Sequence, residues 1–367
     1  MRILLINQGH TDNLGDRAIA ETMTDLVRSE YSDADIVSMP YIPDEQPTDM
    51  AVEKIKPVQF GSEERISALR KIVRGAKRAI RNRGAEPVRE RYERIIRERL
   101  GDGSFDFAII GGGELIKGNK HPFYDSLLAW TTVLVERRIP IAVLGVSSDA
   151  RFTRQECHEL HESLSKCTRV MVRDKKTVDV FMNQLHVKCR YAPDVVFSYR
   201  FLHRQDNGMP SDKDHDAVCV YSYHELTEAF KNKYSLYEYY EMWYQFMLQH
   251  ARHSVRLLYT TYSDYCESTR FQQWMHDEKH VDCTLASIDD VDDYLRELFD
   301  CESLISARMH SMIFALQYGT RIVPIPIKSK LETFKREWQN DDFDWEGTGS
   351  AVREAYRREI LALTGRD

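Results

Sequence analysis

Through the first two hundred residues, short apolar runs alternate with longer segments in which apolar residues recur every three or four positions. The runs at 3–7, 36–39, 107–110, 141–144, 170–172 and a weaker 188–191 predict strands, with helical periodicity between them at 17–28, 65–100, 122–137, 154–166 and 174–184. Repeated strand–helix units of this kind predict a parallel sheet with helices on both faces. After Pro193-Asp194 the pattern loosens into a polar stretch with Gly and Pro, and then resumes. Strands are expected at 217–221, 255–259, 281–285, 303–306 and 321–324, and helices at 235–251, 267–276, 289–299 and 309–318. The expected organisation is an N-terminal α/β domain over 1–200 with a helical insertion at about 63–100, and a linker over 201–215. A C-terminal α/β domain over 216–345 and a closing helix over 346–367 follow, and the two domains face each other across a cleft.

Composition is that of a globular protein, 42% hydrophobic and 30% charged across 367 residues. No apolar run approaches a membrane span, and the apolar start MRILLIN is too short for a signal peptide, so a cytoplasmic location is expected. The seven cysteines (157, 167, 189, 219, 266, 283, 301) are scattered without a C-x-x-C pair, which predicts reduced thiols and offers no zinc or redox spacing. Charge is uneven. The net value is −7, yet residues 65–100 hold thirteen Lys/Arg against four Glu, leaving the remainder at −16. Within 65–83, Ile66, Leu69, Val73, Ala76 and Ile80 form one stripe with basic residues around it. Such a helix can lie on an anionic membrane surface or pack on its own domain. One aromatic in 65–100, Tyr92, and the acidic remainder argue against nucleic acid as a partner.

Ligands of parallel sheets bind beyond the carboxyl ends of strands, and four strand ends here carry unusual chemistry. In 7-NQGHTDNLGDRAIAETM-23, Asp16 opens a helix, and Asn13, Gly15 and Asp16 read either as a cap or as a site loop. In 107-FAIIGGGELI-116, Gly111, Gly112 and Gly113 follow a buried strand. They would let backbone N–H groups approach an anion ahead of a helix, or simply form a tight turn; Glu114 is the unusual neighbour. At 170-VMVRDKK-176, Arg173 and Asp174 form a surface ion pair or belong to a site. The most specific signal is 304-LISARMHSMIFALQYG-319. Arg308 and His310 sit where a strand becomes a buried helix, and neither is desolvated cheaply without a partner. A guanidinium fork at a helix N-terminus suits a carboxylate or phosphate, and an imidazole can transfer a proton near neutral pH. The alternative is that both are paired to buried acids.

As an ordered set these stretches resemble the polysaccharide pyruvyl transferase family. The resemblance rests on Asn13, Gly15, Asp16 and Ala18; on Gly111–Gly113; on Val172-Arg173-Asp174; on Pro193-Asp194; and on Ser306-Ala307-Arg308 with His310, Gly319 and Lys330. Met309 stands where the family usually has leucine, and Ser311 where a glycine is common. The resemblance implies a fold similar to the two-domain GT-B glycosyltransferases, and transfer of pyruvate from phosphoenolpyruvate to two hydroxyls of a sugar, forming a ketal. The acceptor would be a surface polysaccharide or its lipid-linked precursor, which would bring the enzyme to the inner membrane face. It further implies Arg173, Arg308, Met309, His310 and Lys330 at the donor and His310 as general acid or phosphate ligand. Asp16, or else Glu114 or Asp174, would be the base, with Asn13, Gly15 and the three glycines near the acceptor. No metal or other cofactor is expected. Two other readings stay open: a nucleotide-sugar glycosyltransferase on the same scaffold, and a non-catalytic anion or glycan binding protein. Oligomeric state is not encoded in any pattern.

Overall fold

The computed structural model describes residues 1–46, 86–119, 121–148, 151–203, 213–325, 327, 329–338 and 343–365. Six strands, β1 (Arg2–Asn7), β2 (Asp35–Pro40), β3 (Phe107–Gly113), β4 (Ile141–Val146), β5 (Arg169–Val172) and β6 (Arg190–Tyr191), form one parallel sheet in the order β2-β1-β3-β4-β5-β6. Five more, β7 (His215–Cys219), β8 (Ser254–Leu258), β9 (Thr284–Leu285), β10 (Cys301–Ser306) and β11 (Arg321–Pro324), form a second parallel sheet in the order β11-β10-β7-β8-β9. The near-continuous apolar runs follow from this. A parallel strand covered by helices on both sides buries every residue, as β3 and β4 do. Alternate residues then feed opposite layers: Ile3, Leu5, Phe107, Ile109 and Leu144 pack on one side, and Leu4, Ile6, Ala108, Ile110 and Val143 on the other.

Helix starts are set by caps, which moves several of them from the apolar pattern. The first helix runs Leu14–Glu30, three residues earlier than expected, because Asn13 caps it. Thr261 accepts from Asp264 N and starts the Tyr262–Trp274 helix, five residues before the apolar spacing begins. The expected 65–100 helix is described only as Val88–Leu100, whose arginines form ion pairs with Glu86, Glu93, Glu98 and Glu136. The striped segment 65–83 lies outside the described residues. Among the described residues no helix is long and apolar enough to cross a membrane. Tyr239, Tyr240 and Trp243 of the aromatic Leu236–His250 helix are fully buried, so most of that aromatic density is core.

The two sheets are tied together away from the cleft. The final helix, Trp345–Leu361, returns to the first sheet, where Tyr356 Oη donates to Pro193 O at 3.3 Å and Arg357 Nε to Glu30 Oε1 at 2.8 Å. Gln317, at the end of the Met309–Gln317 helix, donates to Val196 O at 2.9 Å and accepts from Arg200 N at 3.0 Å. These buried amide bonds fix how the 309–317 helix meets the first domain.

Candidate active site

Each sheet has one place where the chain reverses the direction in which it adds strands. In the first sheet it lies between β1 and β3, and in the second between β7 and β10. Loops leave such a point in opposite directions and open a crevice. Here the two crevices face each other. A cavity of about 230 Å³ between them is lined by Gln8 after β1, Gly113 and Glu114 at β3, Tyr221 beyond β7, Thr260 after β8, and Ala307–His310 after β10.

The N-terminal wall is the start of the Leu14–Glu30 helix. Asn13, not Asp16, is its cap: its side chain accepts from Gly15 N at 3.0 Å and donates to Asp16 Oδ2 at 2.8 Å. Asp16 lies in the first helical turn, where the helix dipole favours a negative charge, and borders the cavity. Leu14 N donates across the cleft to Thr260 O at 2.9 Å, and Tyr262 N to Asp12 Oδ2 at 2.8 Å, so this loop is pinned to the second domain. Gly15 faces His310 of the second domain with no room for a side chain. A Cβ there would stand 2.1 Å from His310 Nδ1.

The three glycines do not form the expected anion-binding turn. All belong to β3, and the next helix begins only at Pro122. Gly111 and Gly112 serve packing: a Cβ on the first would meet Leu144 O at 2.7 Å, and on the second, at φ +78°, Ile19 Cγ2 at 1.9 Å. Gly113 alone reaches the cavity, beside Glu114, which is ion-paired to Lys117.

Arg308 and His310 are both held by acids. Arg308 precedes the Met309–Gln317 helix, and its Nε and Nη2 grip Asp264 at 2.8 and 2.6 Å, with Glu225 3.0 Å from Nη2 and the Tyr221 ring 4.0 Å from Cζ. Burial opposes its charge, but Asp264 and Glu225 outweigh burial and raise its pKa above the ordinary arginine value. The fork expected to meet a ligand is therefore engaged through two of its nitrogens, and Nη1 has no hydrogen bond among the described residues.

Arg173 and His310 meet on one carboxylate. Arg173 Nη1 lies 2.6 Å from Asp194 Oδ2, and His310 Nε2 lies 3.4 Å from the same oxygen. Asp194 and Arg173 are 5% and 7% exposed, so this ion pair, not a surface pair with Asp174, is what the strand end at β5 provides. Burial would raise the Asp194 pKa, but Arg173 and His310 more than offset it and hold the carboxyl well below the usual range. Asp194 Oδ1 accepts from Val196 N at 3.0 Å, and Arg173 Nε donates to Ser147 Oγ at 3.1 Å. A guanidinium from one domain and an imidazole from the other are thus positioned by a single buried acid.

Asn13, Gly15, Asp16, Gly113, Glu114, Arg173, Arg308, Met309 and His310 all border the 230 Å³ cavity. Asp174 borders an adjoining cavity of about 210 Å³ that shares Glu114, Arg173 and Met309 and continues over Phe197, Ile313, Phe334 and Trp338. Its carboxylate caps the Lys175–Asn183 helix, accepting from Thr177 N at 2.7 Å, so Asp174 is committed to the fold. Lys330 lies in the Ser329–Trp338 helix, and its side chain is outside what is described. Among the described residues no three His, Cys, Asp or Glu side chains form a group that could hold a metal.

Sequence reasoning missed Gln8 and the acids that organise the cations. Asp194 was visible as part of Pro193-Asp194 without a role. Asp264 had a signal of its own: an acid in the first turn of a helix right after β8.

A model of the family described as polysaccharide pyruvyl transferase matches residues 13–329. A comparison with curated protein sequences finds no relative of this chain. Among solved structures, the chain is similar to UDP-GlcNAc 2-epimerase from Methanocaldococcus jannaschii, at 11% identity and a TM-score of 0.51, covering 98% of this chain and 100% of that one. A structure of that organism's enzyme in complex with UDP-GlcNAc and UDP gives 8% identity and 0.53, covering 98% and 99%. The Neisseria meningitidis epimerase bound to UDP-GlcNAc gives 8% and 0.51, covering 100% and 94%. At these identities the likeness is one of fold: two parallel α/β domains in the GT-B arrangement.

Proposed function

From the premise that this chain belongs to the polysaccharide pyruvyl transferase family, we propose that it transfers pyruvate from phosphoenolpyruvate to two hydroxyls of a saccharide, forming a ketal and releasing phosphate. The observation that carries this reading is the Arg173–Asp194–His310 cluster at the facing crevices, with Asp16 on the opposite wall of the same cavity. The donor brings a phosphate and a carboxylate, and the reaction needs an acid, a base and cationic partners for those anions.

In this reading Arg173 and His310, with Nη1 of Arg308, which has no hydrogen bond among the described residues, meet the donor's anionic groups against Met309. The enol ether of phosphoenolpyruvate takes a proton at its methylene carbon, which becomes the methyl group, and the neighbouring carbon becomes electrophilic. Nε2 of His310 turns from Asp194, 3.4 Å away, to deliver that proton. A saccharide hydroxyl attacks the electrophilic carbon and gives up its proton to Asp16. The bond from that carbon to the phosphate oxygen then breaks, and a second hydroxyl attacks and loses its proton, closing the ketal. Atoms balance as donor plus diol giving ketal plus inorganic phosphate. The acceptor in this reading is a unit of a surface polysaccharide or of its lipid-linked precursor, approached from the side of Asp16.

The test is release of inorganic phosphate from phosphoenolpyruvate in the presence of a panel of methyl glycosides and oligosaccharides, with mass spectrometry of the products. Saccharide-dependent phosphate release with a pyruvylated product supports the reading. Phosphoenolpyruvate left intact with every saccharide, while a nucleotide sugar is consumed, would replace it with glycosyl transfer.

A further inference from the structure

Two helices that meet at the cleft each have their first amide bound by the opposite domain. A helix leaves its first N–H groups without a partner in its own backbone. In the Leu14–Glu30 helix the cap Asn13 accepts from Gly15 N at 3.0 Å, and in the Tyr262–Trp274 helix the cap Thr261 accepts from Asp264 N at 3.1 Å. Neither cap takes the first helical amide. Leu14 N donates instead to Thr260 O at 2.9 Å, and Tyr262 N to Asp12 Oδ2 at 2.8 Å. Each bond runs from the start of one helix to the residue just ahead of the other helix's cap, so the pair is reciprocal. Asp12 also brings a negative charge to the positive end of the Tyr262–Trp274 helix, which the helix dipole favours.

This clasp joins groups that stand on opposite walls of the cavity. The third helical residue is Asp16 in one helix and Asp264 in the other. Asp16 borders the cavity. Asp264 is fully buried, accepts from Ser222 N and Thr260 Oγ1, both at 3.1 Å, and holds Arg308 Nε and Nη2 at 2.8 and 2.6 Å. Thr261 Oγ1 adds a contact to Arg308 Nη2 at 3.4 Å. The five residues from Thr260 to Asp264 therefore touch the first domain at one end and hold Arg308 at the other. Asp12 is half-buried and is not itself among the residues that border the cavity. We propose that Asp12 is a positioning residue: through the first turn of the Tyr262–Trp274 helix it sets Asp264 and Arg308 relative to Asp16, and so aims the Arg308 guanidinium at the donor. The link from Asp12 to Arg308 stands on the hydrogen bonds; its use in catalysis rests on the pyruvyl-transfer reading.

Charge and position predict opposite signs. Removing a carboxylate near a site for an anionic donor would by charge alone favour the donor, whereas removing a positioning contact weakens its use. Asp12→Ala removes both the charge and the acceptor; Asp12→Asn removes the charge and keeps an oxygen that can accept from Tyr262 N. Three measurements are made on the wild type and both variants: the Arg308 Nε–H resonance by NMR of protein isotopically labelled at arginine, identified by its contact with the Tyr221 ring; the kinetics of phosphate release from phosphoenolpyruvate with a saccharide acceptor; and thermal melting. The expected result is an Arg308 resonance displaced in Asp12→Ala and in place in Asp12→Asn. With it, kcat/KM for phosphoenolpyruvate falls about tenfold in Asp12→Ala, stays within about twofold of the wild type in Asp12→Asn, and leaves the acceptor KM unchanged. Both variants melt within about 4 °C of the wild type. An unmoved Arg308 resonance in Asp12→Ala, phosphoenolpyruvate turnover unchanged or raised in that variant, equal losses in Asp12→Asn, or a larger fall in melting temperature would each overturn the role given to Asp12. A displaced Arg308 resonance that Asp12→Asn restores, with no phosphate released from phosphoenolpyruvate by the wild type, would retain the link from Asp12 to Arg308 and overturn pyruvyl transfer instead.

Discussion

Gly15→Ala separates what a helix wants from what the site wants. Gly15 is the second residue of the Leu14–Glu30 helix, and alanine in a helix is ordinarily better than glycine by about 1 kcal/mol. The added Cβ, however, would stand 2.1 Å from His310 Nδ1, 2.7 Å from Cγ and 3.0 Å from Cβ, where ordinary contact begins at 3.4 Å. The ring must retreat by roughly 1 Å, and a misplacement of that size in a catalytic group costs on the order of a hundredfold in rate. The expected variant therefore has wild-type stability to within about 1 kcal/mol, a displaced His310 ring resonance by NMR, and phosphate release from phosphoenolpyruvate reduced about a hundredfold. Wild-type turnover with an unmoved His310 resonance would mean that the contact between helix and imidazole has no part in the chemistry.

Further outcomes follow from the buried charges. Asp194→Asn leaves Arg173 buried without its counter-charge and should lower stability by about 3–5 kcal/mol in urea titration. Because the Asp194 pKa is lowered on folding from its ordinary 3.8, its stabilisation is fully present above that value and drains away as pH falls below it; the variant should lack that part of the acid limb. His203 behaves oppositely. Its hydrogen bond to Asp25 outweighs burial and raises its pKa above 6.5, so its contribution is complete below that pH and is lost as pH rises through the raised value. Asp25→Asn should flatten this neutral-to-alkaline slope in melting temperature. Arg308→Lys keeps the charge but not the two-nitrogen grip on Asp264, so it should destabilise the second domain nearly as much as Arg308→Ala, as read by denaturant midpoint.

Strand positions were legible because residues buried on both faces read as apolar runs, and every described strand lies within a few residues of its run. Helix starts were less so, since they depend on single caps such as Asn13 and Thr261 rather than on periodicity. In the site, the strand ends carrying Asp16, Arg173, Arg308 and His310 could be picked out because unusual polar groups stood next to apolar runs. Their partners could not. Asp194 and Arg173 are 21 residues apart, Arg308 and Asp264 are 44, and pairing over such separations is decided by which strands adjoin. The glycines of 111–113 looked like a ligand loop because close approach to a ligand and close approach to Ile19 or Leu144 place the same demand on the backbone.

The proposed activity requires the facing crevices to hold a three-carbon enol phosphate between Arg173 and His310. It is tested most directly by calorimetric titration of phosphoenolpyruvate, and of UDP in parallel, into the wild type and His310→Asn. The expected result is saturable heat with phosphoenolpyruvate that weakens at least about tenfold in the folded variant, and no saturable heat with UDP. Saturable binding of UDP with none of phosphoenolpyruvate would contradict it.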